Sequence, residues 1–288
     1  MRNRKILILG VYGMLGHKLF QSLGETYEVY ATCRSIRPDL NVAHNFDSAR
    51  LIPDVTVESF DSVISCLSRI CPDVVINCIG IIKQKEQAKE AIPSIQVNSL
   101  FPHRLASLCK AANARLFHFS TDCVFSGKGG MYVETDVSDA EDLYGRTKYL
   151  GEISEKGCVT IRTSIIGREI SERNGLLEWF LSNKGGSVKG FTNAIYSGFT
   201  TIEMSRIVDL IIKKHPDLFG VWHVASKPIS KYDLLQLIDS KLNFGITVHP
   251  DDSFCRDRSL NGDAFNKKTG YVPPSWDEMI DELSKERY

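Results

Sequence analysis

Short apolar runs alternate with segments whose apolar residues recur at helical spacing through the first half of the chain. This pattern predicts strands over residues 5–9, 28–32, 73–78, 115–121 and 159–164. Between them it predicts helices over 14–23, 57–70, 101–112 and 142–155. The strands read as continuous apolar runs, not as alternating ones, which is the pattern of a parallel sheet covered on both faces. Beyond about residue 165 the pattern loosens around Gly185, Gly186, Gly190 and Gly198. Helices then follow over 203–213, 230–242 and 275–284, with strands over 221–225 and 246–249. The expected class is α/β: a Rossmann-type doubly wound parallel sheet with a smaller C-terminal substrate-binding lobe. Residues 1–165 would form the nucleotide-binding part, 200–228 would return to it, and 166–288 would be mainly the lobe.

Lys plus Arg and Asp plus Glu are 35 each, a formal net charge of zero, so no basic surface points to nucleic acid. The apolar run after Met1-Arg2-Asn3-Arg4-Lys5 ends at Gly10, too short for a signal peptide, and no later run approaches membrane-spanning length. Eight cysteines are scattered without a Cys-x-x-Cys pair. Reduced thiols, no metal and a cytoplasmic location are therefore the expectation.

Directly after the first strand stands Gly10-Val11-Tyr12-Gly13-Met14-Leu15-Gly16. Glycines at a strand-to-helix junction allow a tight turn whose N–H groups can meet a pyrophosphate at the helix N-terminus. The spacing is G-x-x-G-x-x-G, and a plain structural turn is the competing reading. At the end of the second strand, where an acid would bind a ribose 2′-hydroxyl, the chain has Thr32-Cys33-Arg34-Ser35. Arg34 can pair with a 2′-phosphate, which favours NADP(H) over NAD(H); a solvated surface arginine is the alternative.

Tyr144 and Lys148 lie four residues apart on a predicted helix and so share one face. A nearby ammonium stabilises phenolate and makes a tyrosine a usable acid near neutrality. With ten tyrosines, about one such spacing is expected by chance, so the pair needs context. Ser120 and Thr121 supply it, because they place hydroxyls at the carboxyl end of a parallel strand, where open α/β sheets bind ligands. Hydroxyl, phenol and ammonium together can hold a carbonyl oxygen, donate a proton and orient a nicotinamide ribose.

The run Ser120-Thr121-Asp122-Cys123-Val124-Phe125-Ser126-Gly127 is followed by Glu134-Thr135-Asp136, Tyr144-Gly145-Arg146-Thr147-Lys148 and Gly151-Glu152. With Arg162-Thr163-Ser164 and Arg258-Ser259-Leu260, it resembles the extended short-chain dehydrogenase/reductases, and among them the dTDP-4-dehydrorhamnose reductases. The resemblance spans essentially the whole chain. It implies Thr121, Tyr144 and Lys148 as the catalytic set, with Asp122 and Val124 beside the sugar and Arg258 reaching the substrate phosphates. Gly13, Met14 and Leu15 would line the pyrophosphate, with Gly10, Tyr12 and Gly16 shaping the same turn. Asp47 would meet the adenine end, and Cys78, Ile79 and Gly80 would run along the cofactor.

Two positions depart from the family pattern. Cys123 stands where a tyrosine is common, and reads as a small buried hydrophobe. Ile165 stands where rhamnose-pathway enzymes carry a tryptophan against the sugar, which leaves the hexose open. The implied activity is NADPH-dependent reduction of a nucleotide-linked 4-keto-6-deoxy-sugar for polysaccharide precursors. An epimerase or dehydratase on the same scaffold is the first alternative. Related dehydratases carry an acid after Thr-Asp, a position held here by Cys123. A non-catalytic NADP-binding subunit, like the methionine adenosyltransferase beta subunit, is the second. The oligomer stays open, with a homodimer among the options.

Overall fold

In a computed structural model of the chain, residues 4–171 and 173–286 are described; the charged start Met1–Asn3 lies outside them. Seven parallel strands form the main sheet: β1 (Lys5–Leu9), β2 (Glu28–Thr32), β3 (Leu51–Ile52), β4 (Val74–Asn77), β5 (Arg115–Phe119), β6 (Cys158–Arg162) and β10 (Gly220–His223). Their order is β10-β6-β5-β4-β1-β2-β3. The chain moves outward from β1 to β3, then returns across β1 to β4, so a crevice opens between the carboxyl ends of β1 and β4.

Both faces of this sheet are covered, which is why Ile6, Leu7, Ile8 and Leu9 are all fully buried. Ile6 and Ile8 pack with the helices Met14–Gly24 and Thr201–Lys214 through Leu15, Leu19, Met204 and Ile207. Leu7 and Leu9 face the opposite way, onto Val63 and Leu67 of the helix Phe60–Ile70 and Leu105 of the helix Phe101–Ala111. This two-sided burial is the physical content of the unbroken apolar runs.

The predicted helices are trimmed by their caps. The helix expected from 57 begins at Phe60, after Ser59. The helix expected over 142–155 is Leu143–Leu150, N-capped by the Asp142 carboxylate, which accepts from Gly145 N at 2.8 Å. It ends at Leu150 with Gly151 as its C-cap, and Gly151 lies against another backbone. A Cβ on Gly151 would sit 1.9 Å from the Asn98 carbonyl oxygen. Asn98 belongs to a π-helical stretch, Ile95–Leu100, that leads into Phe101–Ala111.

The remaining strands lie beyond Arg162. β7 (Ile165–Ile166) pairs with β9 (Phe199–Thr200). The small lobe is built on β8 (Ser187–Tyr196), which pairs with β11 (Ile229–Ser230) and with the eleven-residue β12 (Thr247–Asp257). The helix Lys231–Leu242 packs on β8 and is capped by Ser230, whose hydroxyl accepts from Asp233 N at 3.0 Å. No helix among the described residues is long and apolar enough to cross a membrane.

Gly151→Ala should lower stability by about 1–3 kcal/mol, because backbone must yield to admit the methyl group. Chemical denaturation compared with the parent checks this, and an unchanged midpoint would contradict the close approach.

Candidate active site

The carboxyl ends of the central strands and the small lobe enclose a cleft of about 570 Å³. At the end of β1 the chain turns through Gly10 at φ +91°, and a Cβ on Gly16 would lie 2.1 Å from the Gly10 carbonyl oxygen. The turn therefore closes only with glycine at these two positions, which act from behind the cleft wall. Gly13 caps the helix Met14–Gly24, and no side chain fills the cap. Gly13, Met14 and Leu15 line the cleft, so the positive helix end opens onto it. These features fit a dinucleotide pyrophosphate. Tyr12 also lines the cleft, and its hydroxyl donates to Asn41 Oδ1 at 2.8 Å and accepts from Arg37 N at 3.0 Å. It thereby ties the glycine turn to the segment after β2. At the end of β4, Cys78, Ile79 and Gly80 form the facing wall, with Ile79 N held by Asn77 Oδ1 at 3.1 Å.

Thr121, just beyond β5, accepts from Cys123 N and donates to Asp122 Oδ1, both at 3.1 Å. Asp122 Oδ2 in turn accepts from Ser164 Oγ at 2.6 Å. Tyr144 and Lys148 both reach this cleft from the helix Leu143–Leu150. Gly145 between them allows close packing, since a Cβ there would sit 2.2 Å from the Cys123 carbonyl oxygen. The Lys148 ammonium donates to the Phe119 carbonyl oxygen at 2.6 Å.

Burial pulls Lys148 down to about 8, with Glu152 acting in the opposite sense. Burial pushes the Tyr144 phenol up, reinforced by Cys123, while a hydrogen bond with Thr121 opposes the rise. Tyr144 is thus a neutral phenol, a proton donor, at pH 7. The expected lowering by Lys148 does not govern here, because the ammonium is directed to Phe119 and desolvation of the phenol outweighs other effects.

Arg34 stands away from the cleft wall, with its side chain 75 % exposed and 3.8 Å from Glu58. Asp47 accepts from Ala49 N at 3.0 Å, pairs with Arg50 at 3.3 Å and borders a separate, smaller hollow beside Phe20 and Phe46. Val124 is fully buried in a small core with Phe125, Ala225 and Leu260, so it packs the loop and does not face the cleft. Arg258 does line the cleft, and its guanidinium donates to Phe125 O at 2.8 Å and to Cys123 Sγ at 3.3 Å. His17 and His118 are buried, and desolvation lowers both. No cluster of His, Cys, Asp and Glu able to hold a metal occurs among the described residues.

Tyr196, Lys231, Phe254 and Arg256 line the cleft without having been singled out from sequence, and Ser164, quoted there as part of a motif, lines it without having been given a role. Only Arg256 carried a local signal: two residues from Arg258, it shares a face with it in extended chain.

The family described as RmlD substrate binding domain matches residues 4–287. The chain belongs to that family. The RmlD-type chain is 25 % identical to the spore coat polysaccharide biosynthesis protein SpsK of Bacillus subtilis, over 98 % of each. It is 28 % identical to a dTDP-4-dehydrorhamnose reductase of Aggregatibacter actinomycetemcomitans, over 80 % of this chain and 76 % of that one. Among solved structures, dTDP-4-dehydrorhamnose reductase from Bacillus anthracis in complex with NADP superposes with a TM-score of 0.79 at 21 % identity, covering 97 % and 98 % of the two chains. The RmlD-type chain is an oxidoreductase of the extended short-chain dehydrogenase/reductase type.

Where the Lys148 ammonium contacts a bound dinucleotide, affinity must follow its charge. NADPH dissociation constants measured across pH should rise as pH passes through about 8, and Lys148→Met should flatten that rise. A parent profile that is flat from pH 6 to 9 would rule out this contact.

Proposed function

We propose that the chain is an NADPH-dependent reductase of a nucleotide-linked 4-keto-6-deoxy-sugar. The observation that carries this reading is a neutral, half-buried Tyr144 set with Thr121 and Lys148 in a cleft onto which a glycine-capped helix end also opens. Held along Gly13–Leu15 and Cys78–Gly80, the cofactor supplies the hydride. Tyr144 gives its proton to the carbonyl oxygen as that oxygen gains charge, and Thr121 hydrogen-bonds the same atom. Lys148 holds the nicotinamide ribose, and the hydrogen bond with Thr121 is what favours the phenolate left on Tyr144.

The lobe side suits a sugar nucleotide. Lys231, Arg256 and Arg258 line the cleft with three cations, a set that fits a diphosphate. Phe254 lies beside Phe191, with ring centroids 5.1 Å apart, and offers a flat apolar surface for a base. Tyr196 closes the sugar end. Its ring packs against Trp276 at 5.5 Å and its buried hydroxyl has no hydrogen-bond partner, which suits a sugar hydroxyl. The names of the reductase relatives supply the substrate class. Cys123, in place of an acid, weighs against elimination chemistry.

NADPH oxidation followed against a panel of nucleotide-linked keto-sugars tests the reading. Tyr144→Phe, which removes one oxygen, should retain NADPH binding and lower kcat by about 10²–10⁴-fold. Full activity in that variant would remove Tyr144 as the acid. NADP still bound by a parent that reduces no keto-sugar would favour a binding-only role.

Cofactor preference rests on Arg34, which stands just past the end of β2, where the sequence run Thr32-Cys33-Arg34-Ser35 carries no acid and the guanidinium lies 3.8 Å from Glu58. The parent should bind NADPH more tightly than NADH, and Arg34→Ala should narrow the difference. Equal affinities in the parent, measured by fluorescence titration, would refute this preference.

A further inference from the structure

Behind the catalytic residues lies a polar cluster that the reaction above does not use. Glu152, just after the helix Leu143–Leu150, has a side chain only 6 % exposed. One of its oxygens accepts from Arg162 Nε at 2.8 Å, and the other accepts from Arg162 Nη2 at 2.7 Å. The first also accepts from Ser120 Oγ at 2.5 Å. Arg162 Nη1 donates to His223 Nε2 at 3.1 Å, while His223 Nδ1 donates to the Tyr132 carbonyl oxygen at 2.9 Å. His223 stays neutral, lowered to about 4 by burial and then by Arg162. Arg162 also lies over the Phe125 ring at 5.4 Å.

A buried pair of this kind is a weak source of stability, because desolvation of two charges offsets most of their attraction. Its position supplies a different reason for it. One carboxylate grips Ser120, the neighbour of Thr121, and its charge acts on Lys148, four residues earlier in the chain. We propose that Glu152, anchored by Arg162, is a positioning residue for the proton-donor site. Through Ser120 it fixes the strand end that carries Thr121, and its charge keeps the Lys148 ammonium protonated in a place that water barely reaches. This rests on Lys148 holding the cofactor, not on the identity of the sugar.

The groups facing Lys148 define the balance. Phe119 O accepts from it, Tyr144 precedes it by one turn, and His118 of β5 stands near it buried and neutral. His103, from the helix Phe101–Ala111, is turned to Leu150 O at 2.8 Å. Glu152 is the acid that acts on Lys148 from this shell. Without its charge the ammonium loses its proton at lower pH.

The test is the pH dependence of the NADPH dissociation constant, which needs no turnover. Glu152→Gln should move the pH at which binding weakens down by about one unit. Glu152→Asp should leave it near the parent value, because the charge remains. Since Glu152→Gln leaves Arg162 without a counter-charge, the double variant E152Q/R162Q is measured beside it and should show a displacement in the same direction but smaller, because a nearby cation is removed with the acid. A folded charge-removed variant with the parent profile overturns the proposal. The positioning half is read from Ser120→Ala, which should lower kcat several-fold at unchanged NADPH affinity. If neither charge-removed variant folds, parent-like kcat in Ser120→Ala overturns the proposal instead. A parent without turnover would refute the sugar reading and leave the binding profiles to decide this one.

Discussion

Burial of the Lys148 ammonium is the demand that much of the site is arranged to meet. A cation removed from water must find acceptors and a counter-charge, or else lose its proton. Here the Phe119 carbonyl at the end of β5 provides the acceptor, and Glu152 provides the charge. Glu152 then needs its own partners, which come from β6 through Arg162 and from the segment after β5 through Ser120. Three neighbouring parts of the sheet's carboxyl edge are thus drawn together by one proton. The same desolvation pushes the Tyr144 phenol up as it pulls Lys148 down, so phenol and ammonium are tuned by one cause.

The features legible in the sequence are those whose meaning is local. Gly10 and Gly16 mark a turn because the left-handed φ at the first and the close backbone approach at the second exclude a side chain, and the spacing of Tyr144 and Lys148 fixes a shared helix face. Six of the seven strands of the main sheet followed from apolar runs such as Ile6–Leu9, whereas the two-residue β3 (Leu51–Ile52) at its edge is too short to leave such a run. Helix ends were less legible: nothing within residues 142–155 says that Gly151 must lie against the Asn98 carbonyl. β8 was missed because Gly190 and Thr192 interrupt its apolar pattern, and β12 ran well past 249 into polar sequence that its pairing with β8 keeps extended.

The site divides along the same line. On the Rossmann side residues meet the cleft in runs, such as Cys78, Ile79 and Gly80, which the family resemblance had implied together. On the lobe side, single residues from distant segments converge, such as Tyr196, Lys231 and Phe254. Asp47 illustrates the converse: its carboxylate answers a local need, the N–H of Ala49, and is turned from the cleft by it.

One consequence follows from where β10 comes in the chain. It completes the main sheet beside β6, yet it is made only after β8 has been laid down in the small lobe. β6 is buried along all five residues and includes Val159 and Ile161. A chain cut near residue 165 would keep the glycine turn, Tyr144 and Lys148, but would present β6 as a naked apolar border, a template for sticking to other chains. The piece that carries the recognisable motifs is therefore not one that can be lifted out on its own, and a minimal cofactor-binding fragment would need Gly220–His223 stitched back beside Val159.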